Sequence, residues 1–146
     1  MSFKYKFSTL LNVRRIQENV AQQAFSQAQR YLRTLAAMKD QVLAKRDIVR
    51  VELMTQMRQG LSATEVKMFY DYLLYLEKGL VRIEENMKTA EKQVDVKREE
   101  LLKAKRDSKA ILRLKEIHQA RYDEALRKKD TIFLDEIAVL RHGGER

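Results

Sequence analysis

The sequence predicts an all-α protein, a long antiparallel two-helix coiled coil folded back on itself as an α-hairpin. First, the 146 residues contain no proline and only four glycines, and 35% of them are charged, a composition typical of long solvated helices. Second, one stretch places apolar residues alternately three and four positions apart, the spacing of a coiled-coil seam. Third, one short segment carries the signals of a helix end followed at once by a helix start. We therefore expect a single coiled-coil domain over residues 1–146.

The first helix is expected to run from about residue 4 to residue 58, because no proline interrupts this stretch. Its apolar residues follow the three-four spacing, with charged interruptions at positions such as Lys45 and Glu52. They predict a seam that faces the second helix. The expected seam positions are Phe7, Leu10, Ala21, Ala24, Ala28, Tyr31, Leu35, Met38, Val42 and Val49.

Residues 59–62 are expected to form the turn between the helices. Gly60 can adopt the left-handed conformation that ends many helices. Ser62 and Glu65 stand at the spacing of a capping box, in which each side chain accepts a hydrogen bond from a backbone N–H group at the start of the next helix. Leu61 and Val66 fit the accompanying hydrophobic staple. These signals favour a hairpin over one continuous helix.

The second helix is expected from about residue 63 to residue 140, followed by a flexible tail at 141–146 that contains two glycines. Its seam is apolar at nine successive positions. A strict 3.5-residue period keeps such a stripe covered only when another helix winds around it. The nine positions are Val66, Phe69, Leu73, Leu76, Leu80, Ile83, Met87, Ala90 and Val94.

The two seams are in register if the chain folds back after the first helix. Antiparallel partners then have residue numbers with a nearly constant sum, and pairing Val49 with Leu73 and Tyr31 with Ala90 gives sums of 122 and 121. Toward the free ends the same register reaches positions such as Ser108 that bury little apolar area. We therefore expect the weakest pairing of the helices there.

Beyond about Ile117 the second helix is expected to have no facing residue from the first helix. It still carries apolar residues at helical spacing there. An uncovered apolar stripe of this kind is typical of a surface that binds another protein. The residues concerned include Tyr122, Ile132, Phe133, Ile137 and Leu140.

Basic residues concentrate toward the two ends of the chain. Residues 1–60 hold eleven Lys and Arg against four Asp and Glu, residues 61–100 hold seven against nine, and residues 101–146 hold twelve against eight. A basic end of the hairpin suits RNA, an anionic membrane or an acidic protein cavity, or is simply a solvated face. Nucleic acid is not favoured as a partner, because aromatic and basic residues do not interleave as base stacking requires. An RNA-binding or membrane-surface hairpin is the alternative function.

The sequence lacks the residue sets on which catalysis depends. It has no cysteine and two histidines, and it has no phosphate-binding glycine loop and no metal-ligand spacing. We therefore expect no enzyme, no cofactor, no metal site and no small-molecule substrate. No stretch approaches the roughly 20 apolar residues that span a bilayer, and the N-terminus lacks the apolar core of a secretion signal. A cytoplasmic protein is expected.

Three sequence segments carry further information. The chain opens with Phe3-x-Tyr5-x-Phe7-x-x-Leu10-Leu11-x-x-Arg14, continues in the centre with Phe69-x-x-Tyr72-Leu73-x-x-Leu76-Glu77, and closes with a stretch from Tyr122 to Leu134-Asp135-Glu136-Ile137-Ala138. In this order, and with a glycine turn and this length, the segments resemble the FliJ family. That family is a soluble component of the bacterial flagellar type III export apparatus.

The resemblance implies a stalk-like antiparallel coil, similar to the central stalk of rotary ATP synthases, with no enzymatic activity of its own. It implies three partners. These are the hexameric ring of the flagellar export ATPase, whose assembly and activity the family promotes, the cytoplasmic domain of the export gate protein FlhA, and export chaperones. It also implies a cytoplasmic location at the periphery of the inner membrane, at the flagellar base. A stalk protein of a virulence-type secretion system is the related alternative.

The resemblance also implies where the gate binds, and charge and overhang nominate an ATPase-binding end. Several gate residues are also seam positions, so packing of the coil is their alternative role, whereas Tyr72 and Gly79 lie off the seam. The gate set is Met38, Val42, Val49, Tyr72, Leu76, Gly79 and Ile83. The ATPase set is Phe7, Leu11, Arg14, Arg15, Phe133, Ile137 and Leu140.

Overall fold

The computed structural model describes the backbone of residues 2–144 and the side chains of residues 7–144. Its elements are two α-helices, α1 at Ser2–Gln59 and α2 at Ala63–Gly144, and no strand occurs within the described residues. The two helices pack against each other, so the predicted all-α hairpin is confirmed. Helix α2 continues through 141–144, where a flexible tail was expected, because glycine weakens a helix by only about 1 kcal/mol and no proline follows. Residues 145–146 of that tail lie outside the described residues.

The turn between the helices has the predicted capping geometry. Gly60 has a φ of 96°, and its N–H donates to the carbonyl of Met57 at 3.3 Å, as at many helix C-termini. The N–H of Glu65 donates to Ser62 Oγ at 3.2 Å, and the N–H of Ser62 donates to Glu65 Oε2 at 3.4 Å. This reciprocal pair is a capping box, and it satisfies backbone groups that would otherwise lack partners.

Contacts along the chain define two compact units. The hairpin unit, as we call it, comprises residues 21–101 and contains the turn. The terminal unit comprises the residues up to Val20 together with those from Leu102 onward. Both units are built from one stretch of α1 and one stretch of α2.

In the hairpin unit, the core is a single seam between α1 and α2. All nine predicted seam positions of α2, from Val66 to Val94, are buried or half-buried. This part of the prediction is confirmed, and burial of these side chains stabilises the unit by about 25 cal/mol per Å² of apolar area. The buried side chains of the unit are Leu35, Leu53, Leu76, Leu80, Ile83, Ala90, Val94 and Leu101.

Part of the predicted α1 seam is wrong by one residue. Positions such as Val42 and Val49 are half-buried as predicted. Tyr31, however, is 55% exposed and Met38 is 46% exposed. Every second seam position of α1 lies one residue later along the chain than predicted. The side chains at these positions are half-buried or buried, and they are Phe25, Leu32, Lys39, Arg46 and Leu53.

Two of these seam positions hold cationic residues, so the spacing of apolar residues in the sequence does not reveal them. Lys39 and Arg46 occupy seam positions, where a long side chain can lay its aliphatic stem along the interface and direct its charge outward. Lys39 Nζ lies 3.5 Å from Glu84 Oε1, and Arg46 Nη1 lies 3.6 Å from Glu77 Oε1. The residue numbers of both pairs add to 123, close to the predicted sums of 121 and 122. The antiparallel register is thus as expected to within one or two residues.

In the terminal unit, the seam is poor in apolar residues. Among the described residues of this unit, Leu11 is the one buried apolar side chain and Ser108 is the one buried polar side chain. Leu11 is 3% exposed whereas Leu10, the predicted seam residue, is 39% exposed, which is the same one-residue correction. Across the seam, Arg14 Nη1 lies 3.8 Å from Asp107 Oδ2.

Replacing Gly60 with alanine should destabilise the protein by about 1–2 kcal/mol, the usual cost of the left-handed conformation for a residue with a Cβ atom. The control is Gly79→Ala within α2, where no atom lies within 4 Å of the new Cβ, and this change should stabilise the protein by about 1 kcal/mol. Urea unfolding followed by circular dichroism measures both. Equal effects of the two substitutions would contradict the assigned helix boundaries.

The corrected α1 seam predicts that replacing two neighbouring residues with alanine lowers the stability of the protein by different amounts. Leu53→Ala should destabilise by about 2 kcal/mol or more, because Leu53 is buried between the helices. Met54→Ala should change stability by less than about 0.5 kcal/mol, because Met54 is exposed. The midpoints of urea unfolding compare the two variants, and a larger loss from Met54→Ala would show that the seam is misplaced.

Candidate protein-interaction surfaces

The two flanks of the seam in the hairpin unit differ in character. On one flank, ion pairs join the helices: Glu77 Oε1 lies 3.6 Å from both Arg46 and Arg50. A second pair on this flank joins Lys39 to Glu84. On the other flank, which we call the grooved flank, apolar and aromatic side chains line open grooves, and no ion pair links the lining residues that the structure describes. The grooved flank has room for the side chains of a partner.

Two adjacent grooves on this flank share Tyr72. The groove nearer the turn has a volume of about 480 Å³, and the groove farther from the turn has a volume of about 320 Å³. The ring of Tyr72 stacks on that of Tyr75, with centroids 6.2 Å apart and an interplanar angle of 20°. The near groove is lined by Val49, Glu52, Gln56, Glu65, Met68, Phe69 and Tyr72, and the far groove by Val42, Lys45, Tyr72, Tyr75, Leu76, Lys78, Gly79 and Arg82.

The two grooves carry charges of opposite sign. The far groove has three cationic lining residues, Lys45, Lys78 and Arg82, and no carboxylate among its described lining residues. The near groove has Glu52 and Glu65 and no cation among its described lining residues. A segment bound along both grooves would therefore meet apolar side chains and an electrostatic field that changes sign along its length.

The structure brings five of the seven residues of the gate set together on the grooved flank. The other two do not line either groove. Met38 is exposed, and Ile83 is buried in the seam. The five groove residues are Val42, Val49, Tyr72, Leu76 and Gly79.

These gate residues differ in how accessible they are. Leu76 is 4% exposed, so its side chain first of all packs the coil, as does that of Ile83. Tyr72 is 43% exposed, and the Cβ position of Gly79 has no atom within 4 Å. Tyr72 and Gly79 are thus the members of the set that a partner could touch inside the grooves without opening the coil, and Met38 is an exposed member outside the grooves.

Five groove residues were not predicted from the sequence, namely Gln56, Met68, Tyr75, Lys78 and Arg82. Tyr75 is 70% exposed, and its position three residues after Tyr72 could have indicated a shared helix face. The two cations gave no such signal, because a charged residue off the seam is indistinguishable in sequence from any solvated residue.

The ATPase set does not form one surface in the terminal unit. Phe7 stacks on His118 of α2 with ring centroids 5.1 Å apart, and Leu11 is buried. Phe133 lies fifteen residues beyond His118, about 22 Å farther along α2. Of the remaining residues, Arg14 is half-buried and Arg15 is exposed on α1, while Ile137 is half-buried and Leu140 is exposed on α2.

Arg14 links the two helices of the terminal unit. Its Nη1 donates to Gln17 Oε1 at 3.2 Å and approaches Asp107 at 3.8 Å. Its Nε atom is buried without a hydrogen-bond partner, which weakens the packing at this point. Arg14 therefore has a structural role as a bridge across a polar seam.

The far part of α2 presents apolar side chains to solvent. Every side chain from Ala120 to Glu136 is exposed. Such a stretch of uncovered apolar residues is typical of a protein-binding surface. The most exposed large apolar side chains are Ile132, Phe133, Leu134, Val139 and Leu140.

The open surfaces of the described residues suit the binding of proteins. Between residues 7 and 144, no group of three or more His, Asp or Glu side chains is placed to hold a metal ion. Neither helix, over its described length, is apolar enough to cross a membrane. The grooves are open to solvent and lined by side chains from both helices, which suits a peptide segment or a helix of a partner.

Comparison with known proteins identifies one family. A family model described as flagellar FliJ protein matches residues 3–146, which is nearly the whole chain. Comparison with curated proteins and with solved structures gives no match.

Proposed function

Because the chain belongs to the flagellar FliJ protein family, we propose that it is a stalk-like coiled coil linking the export ATPase ring to the export gate. Members of this family are non-catalytic components of flagellar protein export. In this proposal the chain promotes assembly and activity of the ATPase hexamer, binds the cytoplasmic domain of FlhA, and escorts export chaperones. It works in the cytoplasm, peripheral to the inner membrane at the flagellar base.

The observation that carries the gate contact is the clustering of the gate set on the grooved flank. Five residues separated by up to 37 positions in the sequence, from Val42 to Gly79, line two adjoining grooves. Exposed aromatic residues beside apolar grooves are the usual energetic centres of protein interfaces. Tyr72, shared by both grooves, is the residue we place at the centre of the gate contact.

The ATPase contact rests on the exposed apolar residues of α2. Phe133 and Leu140 are 60% and 75% exposed and lie seven residues apart, on nearly the same helix face. Phe7 and Leu11 support this contact indirectly, since they hold α1 on α2 in the terminal unit. Chaperone escort rests on family membership alone.

Tyr72→Ala should weaken binding of the FlhA cytoplasmic domain by about tenfold or more, as removal of a central interface aromatic usually does. The matched control is Tyr70→Ala. Tyr70 is 57% exposed but lines neither groove. Titration calorimetry of the purified proteins measures both affinities, and an equal loss for the two variants would place the gate contact elsewhere. Leu76 is not a suitable test site, because its substitution would also unpack the coil.

Phe133→Asp should reduce stimulation of the export ATPase by about tenfold, because a carboxylate in an apolar contact loses its hydration. The control is Val81→Asp in the hairpin unit, where Val81 is comparably exposed at 54%. Steady-state ATP hydrolysis and hexamer formation are measured with the cognate ATPase. Full stimulation by Phe133→Asp would remove the far part of α2 from the proposed interface, and no stimulation by the unaltered chain would refute the ATPase role itself.

A further inference from the structure

The net positive charge of the chain is concentrated in the terminal unit. Residues 1–20 and 102–146 together hold sixteen Lys and Arg and nine Asp and Glu, a net charge of +7. Residues 21–101 hold fourteen Lys and Arg and twelve Asp and Glu, a net charge of +2. The terminal unit thus carries most of the total charge of +9, although it is the smaller of the two units.

Within this unit, four cations form a line along the outer face of α2. We call Lys103, Arg106, Lys109 and Arg113 the basic stripe. They follow one another at intervals of three, three and four residues, which keeps them within about 60° of Arg106 around the helix. All four are exposed, and none of them takes part in an ion pair among the residues that the structure describes. Their charges are available to a partner.

Three acidic residues lie near the basic stripe, and they leave most of its charge unneutralised. Glu99 is on the same face, about 20° around the helix from Arg106 and one turn before Lys103, so it offsets part of the charge at that end of the stripe. Asp107 lies about 100° around the helix from Arg106 and approaches Arg14 of α1. Glu116 lies about 80° from Arg106, at the edge of the face. Two exposed apolar residues do share the face: Leu102 is 44% exposed and Ile117 is 40% exposed, and they stand at the two ends of the stripe.

We propose that the basic stripe docks the terminal unit on the surface of an anionic phospholipid bilayer. Four or more Lys and Arg on one face of an exposed helix are typical of binding to anionic lipid headgroups. The stripe runs straight along about 15 Å of helix, so a flat surface can meet all four cations at once. Leu102 and Ile117 are placed to enter the interface on either side, as the apolar residues of membrane-surface helices do.

The same face is poorly suited to nucleic acid. No phenylalanine, tyrosine or tryptophan occurs between Leu102 and Arg121, so the face offers no platform on which bases can stack. The expected membrane binding is reversible, since each cation near an anionic bilayer strengthens binding by only about fivefold. It should also weaken steeply as salt is added, because the attraction is screened.

The test compares two triple variants that lose the same charges. Lys103→Gln, Arg106→Gln and Lys109→Gln remove three cations of the basic stripe. Arg30→Gln, Lys88→Gln and Lys92→Gln remove one arginine and two lysines from exposed positions of the hairpin unit. Circular dichroism first establishes that both variants retain the helix content of the unaltered chain.

Binding is measured by co-sedimentation of the full chain with phosphatidylcholine vesicles, with and without phosphatidylglycerol. A single-stranded RNA oligonucleotide is titrated in parallel. We expect binding to the anionic vesicles only, weakened about a hundredfold by the stripe variant and much less by the control variant. Equal weakening by both variants, equal binding to neutral vesicles, or tighter binding to RNA than to anionic vesicles would each overturn the proposal.

Discussion

The apolar seam between α1 and α2 is the interaction on which the rest of the hairpin unit depends. Its heptad spacing decides which side chains are buried and, by exclusion, which ones flank the seam. Glu77 and Glu84 fall on the flank that ion pairs close, and Tyr72 and Gly79 fall on the flank that stays open. Leu76 both packs the seam and lines the far groove. The grooved flank therefore exists only while the coil is closed, and its shape follows from its packing.

Local signals predicted the turn and α2 better than they predicted α1. The capping box needs only Ser62, Glu65 and the backbone between them, so its geometry follows from sequence spacing alone. The α2 seam is apolar at every position from Val66 to Val94, which leaves one possible phase. In α1, two seam positions are occupied by Lys39 and Arg46, and a pattern that treats charge as exposed selects the wrong neighbours. Only the partner helix, which supplies Glu84 and Glu77, identifies them as seam residues.

The candidate surfaces were predictable in part for a similar reason. Family resemblance named the gate set, and the structure brings five of its seven residues together on the grooved flank. Lys78 and Arg82, which give the far groove its charge, could not be predicted, since nothing in sequence distinguishes a cation beside a groove from one in open solvent. The ATPase set was assembled from the two chain ends, and the structure separates it because α2 continues far beyond His118, the residue on which Phe7 stacks.

The two units also differ in what stabilises them, and this difference bears on how each can bind partners. Among the described side chains, the hairpin unit buries eight apolar residues whereas the terminal unit buries Leu11 alone. In the terminal unit, the buried Ser108 and the Arg14 Nε atom without a hydrogen-bond partner add a cost that little apolar area offsets. Arg46 Nε has the same deficit in the hairpin unit, where more buried apolar area offsets it. The free energy needed to separate two helices locally is lowest where the apolar contacts between them are fewest. A partner of the hairpin unit therefore meets a preformed surface. A partner of the terminal unit can replace contacts between α1 and α2 with its own contacts at a small cost in free energy.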